Sequence, residues 1–223
     1  MRALWLVPIV LLGLWSPVGA AGGSKAATPL TTDGVRVRDV SLGDLVADAV
    51  LRAGGAQVAL LAATQFKPGT IAPGRVTVAN VVALLVKPDR QWVVSNITGA
   101  GLKAALERSL SRAPDECAYF LQVAGVRVEY DRKAPPGRRI TRLTIGGAEV
   151  SDATAYQVAL TEDLAKGGSG FFVVSDFNDK NIRTDANGRP TPSGTLETAV
   201  AAWLDATPEL RYSTPDRIVA STP

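Results

Sequence analysis

The chain has 223 residues, 46% of them apolar, with 24 basic against 21 acidic side chains. That is enough apolar material for a real core in one large or two small domains, and too weak a charge to argue for nucleic-acid binding. Histidine is absent, which excludes Ser-His-Asp and Cys-His catalysis and a typical dinuclear phosphoesterase site within this chain, because imidazole is the usual neutral-pH base and metal ligand.

The opening MRALWLVPIVLLGLWSPVGAAGG sets Arg2 before an apolar run from Ala3 to Trp15, then Pro17 and the small residues Val18 to Ala21. This reads as a secretory signal peptide over residues 1–21, shorter than the roughly 20 apolar residues of a stop-transfer helix. A periplasmic or secreted protein is expected, without a stable membrane span after cleavage. Cys117 is the only cysteine, so no intramolecular disulfide can form, and it reads as a semi-buried small hydrophobe. Residues 22–35, small, polar and Pro-containing, read as a linker, with order starting near Arg36. Residues 206–223 read as a C-terminal tail.

Further along, SLGDLVADAVLRAGGA places Leu42, Leu45, Val46, Ala49 and Val50 at helical spacing, with Ser41 as the cap and Gly54-Gly55 closing the element. VALLAA at 58–63 reads as a buried strand. VTVANVVALL reads as a helix capped by Thr77, and QWVVSNI as a strand. Residues 97–112 carry Leu102, Ala105, Leu106 and Ser109 on one stripe, leaving Lys103, Glu107 and Arg108 for solvent. YFLQVAGVRVEYD and RRITRLTIGG alternate as strands of a hairpin joined through Pro135-Pro136-Gly137, with an irregularity at Gly125. YQVALTEDLA is a strand that runs into a glycine-rich stretch, and TLETAVAAWLDA from Thr195 is a closing helix. Trp92 and Trp203 read as core anchors. The pattern predicts an α/β fold, a mixed sheet with covering helices.

The candidate chemical motifs mostly read as structural. Asp44 and Asp48 in GDLVAD share one helix face, but Asp44 suits the positive end of the helix dipole and no further metal ligand lies nearby in sequence. Ser169 fails as a nucleophile elbow because Phe171 stands where that motif needs glycine. Lys166 precedes the glycines, the wrong order for a phosphate loop. Arg127, Arg132, Lys133, Arg138, Arg139 and Arg142 read as a solvated hairpin. No catalytic residue, metal ligand or cofactor is expected.

Taken together, LGDLVADAVL, ITGAGLKAALE, YFLQVAGVRVEYD, PPGRRI, YQVAL and LAKGGSGFF resemble, in order and spacing, the C-terminal domain of the secreted 5′-nucleotidase family, over residues 36–205. In that family an N-terminal metallophosphoesterase domain holds two metals and hydrolyses the substrate, while the C-terminal domain binds its nucleoside part. The resemblance implies that Gly167, Gly168, Ser169 and Gly170 stand for the family's G-G-D-G turn, with serine in place of aspartate. It also implies that Phe171 is the aromatic that stacks on a base, a sequence-tolerant contact. Phe172, in an extended segment, would then point into the core. The family's N-x-G-G-I/F-R falls on Ala62 to Lys67, so Lys67 replaces arginine and loses its bidentate fork. Its P-F-x-N falls near Lys87, Pro88, Asp89 and Arg90, which supply no aromatic.

The expected substrate-binding set is therefore Phe171, Lys67, Gly168, Gly170 and Arg90. The implied function is an exported stand-alone nucleotide- or nucleoside-recognition module, not catalytic alone, taking a purine nucleotide or nucleoside and serving a separate metallophosphoesterase chain. The alternative is a structural or protein-interaction domain with a degenerate ligand site. A freestanding hydrolase ranks third.

Overall fold

A computed structural model describes residues 24–212 and 216–221. The segment 1–21, read above as a signal peptide, lies outside the described residues. The described chain opens with strands β1 (Ser24–Ala26) and β2 (Leu30–Thr31), helix α1 (Ser41–Gly54) and strand β3 (Val58–Ala62). After a 3-10 turn at Ala63–Gln65 come β4 (Thr70–Ile71), β5 (Gly74–Val76), α2 (Val78–Ala83), β6 (Gln91–Thr98) and α3 (Gly99–Leu110). Next are β7 (Leu121–Ala124), β8 (Val126–Tyr130), β9 (Ile140–Ile145), β10 (Ala148–Glu149), β11 (Ala155–Thr161) and α4 (Glu162–Ala165). A second 3-10 turn at Asp179–Asn181 precedes β12 (Ser193–Thr195), α5 (Leu196–Ala206), β13 (Glu209–Leu210) and β14 (Ile218–Ala220).

The central sheet runs β12-β6-β11-β3-β7 and is mixed: β11 is parallel to β3 and antiparallel to β6. All five residues of β3 are buried, as its uninterrupted apolar run requires of a strand covered on both faces. Its alternation divides the core. Val58, Leu60 and Ala62 join α3, the hairpin and a group of aromatics on one face, while Ala59 and Leu61 join α1 and α5 on the other. Between β7 and β8 the chain leaves this sheet for a second one, ordered β10-β9-β8-β14. The hinge is Gly125 at φ 74°, where a Cβ would lie 2.1 Å from the Gln57 carbonyl oxygen, so only glycine fits.

Several expectations need correction. Residues 24–35 are not a linker: β1 pairs with β5 and β13, β2 pairs with β4, and Ala26 and Leu30 are buried. Nor are residues 206–212 and 216–221 a tail outside the fold, because β13 pairs with β1 and β14 adds parallel to β8. The folded body therefore extends past both ends of 36–205. Two- and three-residue strands carry too short a pattern to be read from composition, and here the two ends of the chain complete each other.

Ser41 does not cap α1. Val40 occupies the cap position, and the Ser41 hydroxyl accepts from the Thr31 N–H and donates to the Pro29 carbonyl, tying the N-terminal segment down. Buried Gln122 supports the helix start, its Oε1 accepting from the Val40 N–H and its Nε2 donating to the Val35 and Arg38 carbonyls.

Glu107 does not face water. It is buried and accepts the Arg139 and Ile140 N–H groups. Nor is Arg139 part of a solvated hairpin: buried, it donates to the Leu110, Ala113 and Ala134 carbonyls, pinning the hairpin to the end of α3. Cys117 is fully rather than half buried.

Candidate functional site

The glycine-rich stretch starts where β11 ends. Helix α4 is one turn long, and the chain then proceeds through successive three-residue turns. Gly167 N–H donates to the Leu164 carbonyl, Phe171 to Gly168, Val174 to Phe171 and Phe177 to Val174. Gly167 and Gly170 both take φ 83°, and Ser169 between them takes 53°, the left-handed region that glycine enters without steric penalty. A repeat of three replaces the extended period of two.

That repeat reverses the expected roles of the two phenylalanines. Phe171, Val174 and Phe177 fall on one side and are buried, Phe171 completely. Phe172 is 77% exposed and Val173 60% exposed. The Phe171 ring stacks on Phe177 with centroids 5.7 Å apart and meets the edge of Tyr119 at 6.4 Å. With no exposed face, Phe171 cannot stack on a ligand. Phe172 can.

The remaining expected residues fall into three places. Arg90 and Gly168 meet through Asp163. The Arg90 guanidinium pairs with the Asp163 carboxylate, and the Gly168 N–H donates to the Asp163 carbonyl at 2.7 Å. A Cβ on Gly168 would sit 2.6 Å from that carbonyl oxygen, so the close approach needs glycine. Gly170 is held elsewhere, its carbonyl accepting from Arg108 Nε at 3.2 Å, while the Arg108 guanidinium lies 4.1 Å over the Tyr119 ring. Lys67 stands on another loop, its Nζ donating to the Ala83 carbonyl at 3.4 Å and its N–H to Leu84.

Sequence reasoning missed Asp163, which lies in the first turn of the short helix before the glycines and is 73 positions from its partner. It also missed Asp176, which accepts from the N–H and hydroxyl of Thr98 at the start of α3. There it meets the positive end of the helix dipole, and Gly101 leaves room for it, since a Cβ would lie 2.4 Å from its Oδ2.

Asp44 and Asp48 do share a face, and the partner that explains them comes from the far end of the chain. Arg217 presents its fork to Asp48, with Nη1 2.9 Å from Oδ1 and Nη2 2.8 Å from Oδ2, and its Nε lies 3.4 Å from Asp44 Oδ1. Its Nη1 also donates to the Val123 carbonyl and its own N–H to Asp39. Tyr212 donates its hydroxyl to Asp48. Burial pushes the Asp44 carboxyl up to about 7; Arg217 opposes this, and the neighbouring Asp39 and Asp48 add to it. The cluster is a structural lock of the C-terminal strand onto α1. Among the described residues no group of three His, Cys, Asp or Glu side chains could hold a metal ion.

Comparison with known proteins places this arrangement. The trifunctional nucleotide phosphoesterase YfkN of Bacillus subtilis (strain 168) is 29% identical over 151 residues, 64% of this chain and 10% of the relative. Human 5′-nucleotidase is 32% identical over 111 residues, 46% of this chain and 19% of that protein. The chain thus spans a fifth or less of these two relatives. Among solved structures, a 5′-nucleotidase precursor from Thermus thermophilus superposes with a TM-score of 0.75 at 26% identity, covering 90% of this chain and 39% of that one. A Haemophilus influenzae NAD nucleotidase shares the fold, with a TM-score of 0.66 at 16% identity over 89% of this chain and 38% of its own. Residues 18–176 match the family described as 5′-nucleotidase, C-terminal domain. With a mixed sheet clothed on both faces and a glycine turn at the end of β11, the chain belongs to the 5′-nucleotidase C-terminal domain family.

Proposed function

We propose that this domain recognises the nucleoside part of a purine nucleotide or nucleoside, with Phe172, and not Phe171, as the aromatic platform. The observation that carries this reading is the 77% exposure of Phe172 on a turn whose other aromatics, Phe171 and Phe177, are buried. Phe172 and Val173 stand exposed side by side, and a π face suits a purine through dispersion and quadrupole contacts. Gly168 and Gly170 shape the turn, and Arg90 lies behind it.

Phosphate hydrolysis, on this reading, belongs to a metallophosphoesterase unit outside these 223 residues; the absence of histidine from them supports that division. The sequence pattern of residues 1–21 supports export to the periplasm or medium, and N-terminal sequencing of the mature protein tests it: a start near Ala21 is expected, and a retained Met1 would refute cleavage. Calorimetric titration with adenosine tests recognition. Saturable binding that weakens in Phe172→Ala supports the platform. A flat titration up to millimolar ligand refutes it and favours the protein-interaction alternative, for which Phe172 and Val173 would form the contact.

A further inference from the structure

We propose that Asp163 acts as an internal competitor for the anionic end of a ligand, so that the glycine-turn surface takes a neutral nucleoside in preference to its monophosphate. This deepens the nucleoside reading above and rests on it.

The argument starts from where the positive charge around the turn goes. Arg90 would be the natural receptor for a phosphate, since a guanidinium fork binds oxyanions bidentately. Its Nη1 is instead taken by the Asp163 carboxylate. The two side chains are only 24% and 36% exposed, so the pair is less screened than a surface ion pair and harder for a solvated anion to displace. Asp163 is also held in place: its carbonyl accepts the Gly168 N–H, and a Cβ on Gly168 would come within 3.1 Å of its Oδ2. The Arg90 Nε is buried without an acceptor, an exception among buried polar groups that leaves the Asp163 carboxylate as the side-chain partner of this guanidinium.

Three further groups near the turn that could receive an anion are engaged by internal partners. Lys166 Nζ is shared between Glu162 at 2.8 Å and Asp179 at 3.5 Å. The start of α3, where a helix dipole would favour a phosphate, already holds the Asp176 carboxylate. Arg108 is engaged by the Gly170 carbonyl and the Tyr119 ring. The turn therefore offers an apolar aromatic surface, Phe172 and Val173, beside the Arg90 and Lys166 charges that the chain's own carboxylates already pair. The Phe172 backbone lies close to this turn, its Cα 3.0 Å from where a Gly167 Cβ would be, and Gly167 is next in sequence to the Gly168 whose N–H bonds the Asp163 carbonyl.

The test titrates the protein with adenosine and AMP by calorimetry and follows its thermal unfolding with inorganic phosphate, for wild type, Asp163→Asn and the double variant Asp163→Asn/Arg90→Gln. Asparagine keeps the shape and the backbone carbonyl that holds Gly168 but removes the charge that occupies Arg90. Wild type is expected to favour adenosine. Asp163→Asn should tighten AMP about tenfold with adenosine unchanged, the scale of one charge-assisted hydrogen bond, and phosphate should raise its melting temperature but not that of wild type. The double variant should lose both gains. Adenosine binding with an AMP-to-adenosine ratio unchanged by Asp163→Asn would overturn the competitor role and leave the nucleoside reading standing. Absence of adenosine binding in every protein would remove that reading, and this inference with it.

Discussion

Truncating Phe171 and Phe172 in parallel separates the core from the site more sharply than any other pair of changes. Phe171 is fully buried and makes two ring contacts, with Phe177 and Tyr119. Phe→Ala in a core costs about 3 to 5 kcal/mol through lost transfer energy and a residual cavity, and two aromatic contacts place this site toward the upper end. Phe171→Ala should therefore lose about 4 kcal/mol, a large part of the roughly 5 to 15 kcal/mol by which domains of this kind are stable. Phe172 is 77% exposed, so Phe172→Ala should change stability by less than about 0.5 kcal/mol. Loss of one base stack should nevertheless weaken adenosine by about 1 to 3 kcal/mol. Urea unfolding monitored by circular dichroism reads the first effect, with the slope m unchanged if both variants remain two-state; calorimetry reads the second. A Phe171→Ala protein within about 1 kcal/mol of wild type, beside a strongly destabilised Phe172→Ala, would refute the three-residue turn repeat that orients the two rings.

Three further outcomes follow from the lock and the sheet crossing. Asp44 has its folded pKa raised from 3.8 to about 7 by burial, so the folded state holds a proton that the unfolded state releases, and this contribution to stability is lost as pH rises through that window. In urea unfolding from about pH 4.5 to 8, Asp44→Asn should gain on wild type by up to about 1.4 kcal/mol per pH unit and level off above about 7; a difference independent of pH would refute the buried protonated carboxyl. Arg217→Met leaves Asp48 and Asp44 without their cation and should cost about 3 kcal/mol, whereas a loss under about 1 kcal/mol would mean that β14 is held by its strand pairing alone. Gly125→Ala drives a Cβ into the Gln57 carbonyl at a positive φ and should destabilise by more than about 2 kcal/mol on the same assay; near-wild-type unfolding would show that the sheet crossing can relax.

What the sequence by itself determined lies within a few residues of each element. The apolar stripe of α1, its stop at Gly54-Gly55, the capping Thr77, the start of the closing helix at Thr195 and the unbroken apolar run of β3 all appear where the pattern places them. Periodicity and capping are local, so a window of about a dozen residues carries them whole. The position of the glycine turn was legible for the same reason, since three glycines so close announce a left-handed backbone.

Tertiary structure decided the rest. Which phenylalanine faces water depends on whether residues 167–177 run extended or as linked turns, and a one-residue error in that choice exchanges core for surface. Arg90 finds Asp163 across 73 residues and Arg217 finds Asp48 across 169; no local pattern encodes such partners, because charge pairs form wherever the route of the chain brings them together. Glu107 and Arg139 read as solvent-facing, yet both are buried, Glu107 offsetting its desolvation by accepting N–H groups at the start of β9 and Arg139 by donating to carbonyls at the end of α3 and in the loops. The short strands at the two ends have too few residues to declare themselves; β14 completes the edge of the hairpin sheet, and β1, β2 and β13 form small sheets with β5 and β4.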